Sequence, residues 1–197
     1  ILTSFDGISW TSRTSETSSE LLGVTFGDNV FVAVGGSGTI LTSTDGTSWT
    51  SRTSGKSRGL YGITFGNNTF VATGGGSGSP GPESIILTST DGISWTSRTS
   101  GTSQRLNGIT FGNNTFVAVG NNGNLLTSTN GTSWTPRTSG TSSNTSAELR
   151  GVTFGNNTFV VVGFSGTILT SSDGTSWTTR SSGNSSFQNI SLVQSHF

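Results

Sequence analysis

The sequence predicts an all-β fold, a β-propeller of about five four-stranded blades, on three observations. The segment Ile40-Leu41-Thr42-Ser43-Thr44-Asp45-Gly46-Thr47-Ser48-Trp49 returns in near-copies from Ile1, Ile86, Leu125 and Ile168, at intervals of 39, 46, 39 and 43 residues. A second block, Phe26 to Gly35, is echoed from Phe65, Phe111 and Phe154. Between them, short runs of Val, Ile, Phe and Trp are punctuated by Gly-Asn and Asp-Gly, the pattern of strands and tight hairpins. Four such runs in about 40 residues make one propeller blade, whereas a β-solenoid coil has roughly half that period.

Within one period the first strand is expected over 60–65, the second over 70–74, the third over 86–89 and the fourth over 94–99. Gly66-Asn67-Asn68 is expected to join the first two and Asp91-Gly92 the last two, as two-residue hairpins, because Asn, Asp and Gly tolerate positive backbone angles. The second run, as in Phe116-Val117-Ala118-Val119, is apolar on both faces and suits a strand sandwiched between blades. The fourth is richer in Ser, Thr and Arg and suits an outer, solvent-facing strand. Complete blades are expected at about 21–54, 60–99, 106–138 and 149–180, within a single domain spanning 1–197. The fifth is split between the termini: 1–14 supplies a third and fourth strand, and 187–197, which aligns with 106–116, supplies a first. Its second strand is missing, which leaves a gap of about 10 Å between strands that ordinarily sit 4.8 Å apart. Residues beyond this sequence, a register shift of the C-terminal segment or a strand from another chain would fill it.

Composition narrows the function. Nine basic residues balance nine acidic ones, so no charge excess draws the chain to nucleic acid or anionic lipid. No apolar run is long enough for membrane insertion. The 71 Ser and Thr residues would suggest a disordered stalk but for the strand pattern. Cysteine is absent, so neither a disulfide nor a thiolate metal site is expected, and no cofactor is expected either. A chain beginning at Ile1 is expected to be processed, as an extracellular or cell-surface protein would be, or to be part of something longer. Asn67, Asn113, Asn130, Asn144, Asn156, Asn184 and Asn189 open Asn-x-Ser/Thr triplets. The favoured role of these asparagines is in turns, with glycosylation the alternative.

Ser43-Thr44-Asp45-Gly46-Thr47-Ser48-Trp49 resembles the Asp-box of sialidase-type BNR propellers, in a version one residue shorter between Asp and Gly. The resemblance implies a folding element in the hairpin between third and fourth strands, built in the five copies from Asp6 and Trp10, Asp45 and Trp49, Asp91 and Trp95, Asn130 and Trp134, and Asp173 and Trp177. Asn130 keeps the acceptor but not the charge, so the role is hydrogen bonding. Arg13, Arg52, Arg98, Arg137 and Arg180 each follow the Trp by three positions. They are expected to cover the indole or pair with the nearby Asp rather than to form a ring of sugar subsites.

Recognition is expected where repeats differ. First-to-second and third-to-fourth turns share one face and are monotonous; second-to-third and fourth-to-first loops share the other and vary. The enlarged segments 74–85, with Pro80, Pro82 and Glu83, and 139–150, with Asn144 and Glu148, lie on the varying face. So do Lys56, Arg58, Gln104, Arg105, Arg150, Glu16 and Glu20. Candidate ligand-binding residues are therefore Lys56, Arg58, Glu83, Gln104, Arg105, Asn144, Glu148 and Arg150. A sialidase-like site would need an arginine cluster and a Tyr nucleophile with a Glu partner. Tyr61 is the only Tyr and has no Glu beside it, His196 sits next to the C-terminus away from any Ser-Asp pattern, and no metal or phosphate-loop motif occurs. The expectation is a non-enzymatic propeller binding a glycan or protein surface ligand multivalently, as similar five-bladed tachylectin-type lectins do. Self-assembly through Ile190 to Phe197 is the alternative, and glycoside hydrolysis comes last.

Overall fold

The computed structural model describes residues 1–76, 83–140 and 148–180. It is all-β. In chain order the strands are β1 (Leu2–Thr3), β2 (Thr11–Ser12), β3 (Leu21–Gly27), β4 (Val30–Gly35), β5 (Ile40–Ser43), β6 (Thr50–Arg52), β7 (Leu60–Gly66), β8 (Thr69–Gly76), β9 (Glu83–Ser89), β10 (Thr96–Arg98), β11 (Leu106–Gly112), β12 (Thr115–Gly120), β13 (Leu125–Ser128), β14 (Thr135–Arg137), β15 (Leu149–Gly155), β16 (Thr158–Gly163), β17 (Ile168–Ser171) and β18 (Thr178–Arg180). They form four antiparallel four-stranded sheets, each in sequence order, and a two-stranded sheet of β1 and β2. These are the blades and partial blade of a propeller. The strand expected at 187–197 lies outside the described residues.

The first hairpin of each blade closes as expected. Gly66 pairs with Thr69 across Asn67 and Asn68, which take φ of 46° and 53°, the left-handed angles that match the twist of paired strands. The second hairpin is longer than the two residues expected at Asp91-Gly92: pairing stops at Thr88 and resumes at Thr96, and only Gly92 of the two has positive φ. Side chains replace the missing ladder there. The segment 74–85 is also less loop than expected, because Gly75 pairs with Ser84 and Gly76 with Glu83.

The first strands β3, β7, β11 and β15 pack on one another in succession, which makes them the inner strands, and β15 and β3 have no comparable packing. The core lies between blades rather than at a single centre. Val32, Val34 and Ile40 of the first complete blade meet Leu60, Ile63, Phe70, Ala72, Ile85 and Leu87 of the second. Val71 and Ile86 meet Leu106, Ile109, Phe116, Ala118 and Leu126, and Val117, Val119 and Leu125 meet Leu149, Val152, Phe159, Val161 and Leu169. Each joint is directional: a β-branched face receives a larger face of Phe and Leu. At its inner edge a glycine seats an aromatic ring. A methyl group added to Gly27, Gly66 or Gly112 would lie 2.1–2.2 Å from the ring of Phe65, Phe111 or Phe154, so any larger residue would separate the blades.

Candidate functional site

The two ends of the blades are built from different kinds of residue. At the hairpin end, Ser43 Oγ accepts from the backbone N–H of Gly46 at 2.8 Å and donates to Asp45 Oδ1 at 2.9 Å. Asp45 Oδ1 accepts from the N–H groups of Thr47 and Ser48 at 2.8 and 2.9 Å, and Trp49 Nε1 donates to the Gly46 carbonyl at 3.1 Å. The same bonds recur around Asp6, Asp91 and Asp173. Backbone N–H groups aimed at each carboxylate hold its pKa down: Asp6 falls to about 2, chiefly through Ser9 and Ile8, and Asp45, Asp91 and Asp173 fall below the usual carboxylate range through Ser48, Ser94 and Ser176 respectively. Asn130 Oδ1 accepts from Thr132 and Ser133 in the same way. An oxygen acceptor, not a charge, is what this turn requires.

The five repeat arginines neither cover the indoles nor pair with the aspartates. Arg13, Arg52, Arg98, Arg137 and Arg180 each donate Nε to a third-strand threonine, Thr3, Thr42, Thr88, Thr127 or Thr170, at 2.8–2.9 Å. Strand pairing explains it, since Ile86 stands opposite Arg98 and the guanidinium crosses diagonally to the next residue but one on that face. Turn asparagines are also engaged: Asn67 and Asn113 donate Nδ2 to the carbonyls of Thr129 and Ser172 in the following blade.

At the opposite end a constant backbone carries variable side chains. Each inner strand shifts register after its first residue, between Leu21 and Gly23, Leu60 and Gly62, Leu106 and Gly108, and Leu149 and Gly151. The residue left unpaired by this bulge is Leu22, Tyr61, Asn107 and Arg150 in turn. Bulges re-aim a side chain at the edge of a sheet, and here four blades with almost the same strand aim an alkyl group, a phenol, an amide and a guanidinium. The residues two positions earlier, Glu20, Gly59, Arg105 and Glu148, are held alike by their carbonyls, which accept from Gly36, Gly75, Asn121 and Phe164 at 2.8–3.0 Å.

These positions meet across blades. Arg105 stacks over Tyr61, 4.9 Å from the ring centroid, and donates Nε to Asn107 Oδ1 at 2.7 Å. Its Nη2 lies 2.8 Å from Glu148 Oε1, which Arg150 Nε also approaches at 3.2 Å. Arg150 stacks over Phe164, 4.3 Å from the centroid. Asn107 Nδ2 donates to Asn121 Oδ1 and to the Leu149 carbonyl. In the second complete blade, Lys56 Nζ and Arg58 Nε share Glu83 at 3.1 and 3.4 Å. Each carboxylate thus faces two cations.

Of the residues expected to bind, Lys56, Arg58 and Glu83 form one cluster and Arg105, Glu148 and Arg150 the other. Gln104 is half-buried beside Arg105, with its backbone N–H on Thr102 Oγ1. Asn144 lies outside the described residues. Sequence reading missed Leu22, Tyr61 and Asn107, because it treated the inner strand as constant. The missed signal is a single variable letter inside a near-invariant strand. Among the described residues no cluster of three His, Cys, Asp or Glu side chains could hold a metal, and no helix is long and apolar enough to cross a membrane.

No family model matches the sequence, and no curated protein matches it. Solved structures do resemble the fold. YCF48 from Cyanidioschyzon merolae aligns with a TM-score of 0.63 at 20% identity, over 86% of this chain and 58% of that one. A structure of YCF48 bound to D1 peptide aligns at 0.62 and 21%, over 86% and 57%. The GH74 enzyme of Niastella koreensis aligns at 0.53 and 26%, over 81% of this chain and 24% of the enzyme. The chain therefore spans less than three-fifths of the YCF48 structures and about a quarter of the hydrolase.

Proposed function

We propose that the chain is a non-enzymatic binding module that holds one carboxylate-bearing surface ligand across the bulged end of its blades, outside the cell or at its surface. The observation that carries this reading is the ring of bulge residues, where near-identical repeats differ. Multivalent glycan recognition through identical subsites finds no support in the constant residues. The indole N–H and arginine Nε groups that would serve such subsites are spent inside their own blades. Their turn is similar to a shortened Asp-box, and its bonding suits the structural role that resemblance implies.

A ligand carboxylate reaching Arg105 and Arg150 would share the donors that Glu148 only partly occupies, while Tyr61 and Phe164 offer aromatic surface beside them. A polypeptide suits this mixture of charge and apolar contact, and a protein of similar fold is described bound to a peptide. Glu83 and Glu148 are each engaged by two cations, and the reading gives them a part in arranging the basic side chains rather than a catalytic one.

The test is titration of an acidic peptide library and an array of acidic glycans against the wild type and the Arg105→Ala/Arg150→Ala variant. Peptide binding that weakens by tenfold or more in the variant, and that falls as salt rises, is the expected result. No binding of either class at millimolar ligand, or binding indifferent to both substitutions, overturns the reading. Turnover of chromogenic glycosides would overturn its non-enzymatic part.

A further inference from the structure

Five turns share one set of hydrogen bonds, and one of them carries an amide where the others carry a carboxylate. Asn130 stands in the place of Asp6, Asp45, Asp91 and Asp173, and each of these residues is followed by glycine. The difference is chemical. The main-chain nitrogen of the next residue can attack Cγ of an Asn or Asp side chain, and glycine, which has no Cβ, leaves that approach least obstructed. The attack needs a group on Cγ that can leave. The four aspartates, held ionised by the N–H groups aimed at them, offer none, because an ionised carboxylate is a poor electrophile. The Asn130 amide is neutral, and its amine can depart as ammonia.

The turn supplies what that reaction requires. Asn130 Oδ1 accepts from the N–H groups of Thr132 and Ser133 at 2.9 and 3.0 Å and from Ser128 Oγ at 3.1 Å. Three donors on one carbonyl oxygen polarise Cγ and stabilise the negative charge that the oxygen gains as the carbon becomes tetrahedral. Ser128 Oγ also accepts from the Gly131 N–H at 2.8 Å. The hydroxyl thus bridges the attacking nitrogen and the receiving oxygen, placed to take a proton from one and give its own to the other. Asn130 is exposed, and its Nδ2 donates to none of the described residues.

The other two Asn-Gly pairs of the chain, Asn107-Gly108 and Asn122-Gly123, lack this arrangement. Asn107 is half-buried, with Nδ2 tied to Asn121 Oδ1 and to the Leu149 carbonyl. Asn122 is exposed, and its side chain bonds to none of the described residues. One holds the leaving amine in place, and the other leaves the carbonyl oxygen without donors.

We infer that Asn130-Gly131 is a self-processing site, at which the folded chain releases ammonia and ends with an aspartate at position 130. The Gly131 nitrogen bonds to Asn130 Cγ while its proton passes through Ser128 Oγ to Oδ1. The Cγ–Nδ2 bond then breaks, the proton on Oδ1 leaves with the amine as ammonia, and a cyclic imide remains. The N–H groups of Thr132 and Ser133 keep Cγ the more electrophilic of the two imide carbonyl carbons, so water adds there. The bond from Cγ to the Gly131 nitrogen breaks, and that nitrogen takes a proton from the water. The resulting aspartate accepts the bonds that hold the other four turns. Opening at the other carbonyl would insert a carbon into the main chain and displace those bonds. None of this depends on ligand binding at the bulged end.

The experiment is incubation of the full chain at neutral pH, folded and in concentrated urea, followed by trypsin digestion. The three Asn-Gly pairs fall on one tryptic peptide, 106–137, so fragmentation mass spectrometry reads them together. In the folded chain Asn130 should convert at least about tenfold faster than Asn122, with Asn107 slowest, and aspartate should exceed isoaspartate at position 130. In urea the three rates should converge. Ser128→Ala should slow conversion at position 130 alone, and Ser128→Thr, which keeps the hydroxyl, should restore it. The proposal is overturned if folded Asn130 converts no faster than Asn122, if isoaspartate dominates there, or if the ranking survives unfolding. A folded Ser128→Ala variant that converts at the wild-type rate overturns it too, as does isoaspartate forming equally fast at Asp45, Asp91 or Asp173. Should Ser128→Ala fail to fold, the comparison of folded with unfolded wild type decides the matter.

Discussion

The hairpin end and the bulged end of the same blades invert the usual relation between side chain and backbone. At the hairpin end, side chains are the constant part: Ser89, Asp91 and Trp95 bond one short stretch of main chain, and all ladder pairing is suspended between Thr88 and Thr96. At the bulged end the main chain is the constant part, through one register shift and one inter-segment carbonyl bond per blade, and the side chains are free to differ. The lesson is that constancy belongs to side chains at one end and to main chain at the other, so that under the proposed reading stability and recognition are assigned to opposite ends of a common strand set. A substitution at one end should leave the property of the other almost untouched.

The sharpest way to break that division is Gly131→Ala. Gly131 has φ of +73°, and a methyl there would meet Val71 of the preceding blade at 3.0 Å. Backbone strain and overpacking together should cost about 2–4 kcal/mol of stability, measured by denaturant unfolding, with ligand affinity in the folded fraction unchanged. Next comes Ser89→Ala, which strips a buried hydroxyl from the N–H groups of Asp91 and Gly92. It should cost about 1–3 kcal/mol and again spare binding. If either variant weakens ligand binding while folded, the two ends are coupled and the comparison fails.

Acid should unfold the hairpin end selectively. A carboxylate whose folded pKa lies below its unfolded value contributes stability that is complete above the unfolded pKa and is lost as pH falls through the folded one. For Asp6 that window runs from about pH 4 down to about 2. For Asp45, Asp91 and Asp173 the sign is the same and the loss extends to lower pH. The third complete blade, turned by Asn130, has no such carboxylate. Hydrogen exchange followed from pH 4 downward should show its hairpin retaining protection longest, and Asn130→Asp should abolish that advantage without altering stability at neutral pH. Equal loss in all blades would show that the carboxylates do not govern the acid limb.

The smallest effects on folding belong to the bulged end. Arg150→Ala should change stability by no more than about 0.5 kcal/mol, since an ion pair at an exposed guanidinium contributes little, and Tyr61→Ala, at a half-buried ring, by about 1 kcal/mol. The same variants should weaken ligand binding severalfold.

What the sequence made legible follows the range of the interactions involved. The first hairpin could be read at Asn67-Asn68 because its angles belong to the two residues themselves. The blade faces could be read at Phe116 to Val119 because burial on both sides leaves no polar letter. The second hairpin was misjudged at Asp91-Gly92 because Ser89 and Asp91 satisfy the main chain from the side, a substitution that spacing does not reveal. Lys56, Arg58, Arg105 and Arg150 could be placed on one face by topology, but their division into two groups depends on which carboxylate each reaches. Leu22, Tyr61 and Asn107 were hidden by the bulge, which exists only relative to the partner strand.

The Ser-x-Asp-Gly turn has one more effect, on how the chain reaches this fold. Its bonds span no more than three residues, so each copy can form before any distant part of the chain arrives, and nearly the same starting point occurs five times. Such a chain nucleates easily but distinguishes its own segments poorly, and a second strand could pair with the third strand of the wrong repeat at little cost. The unequal connections, seven residues longer in one repeat and four longer in another, are what keep these near-equivalent sites from being interchangeable during synthesis.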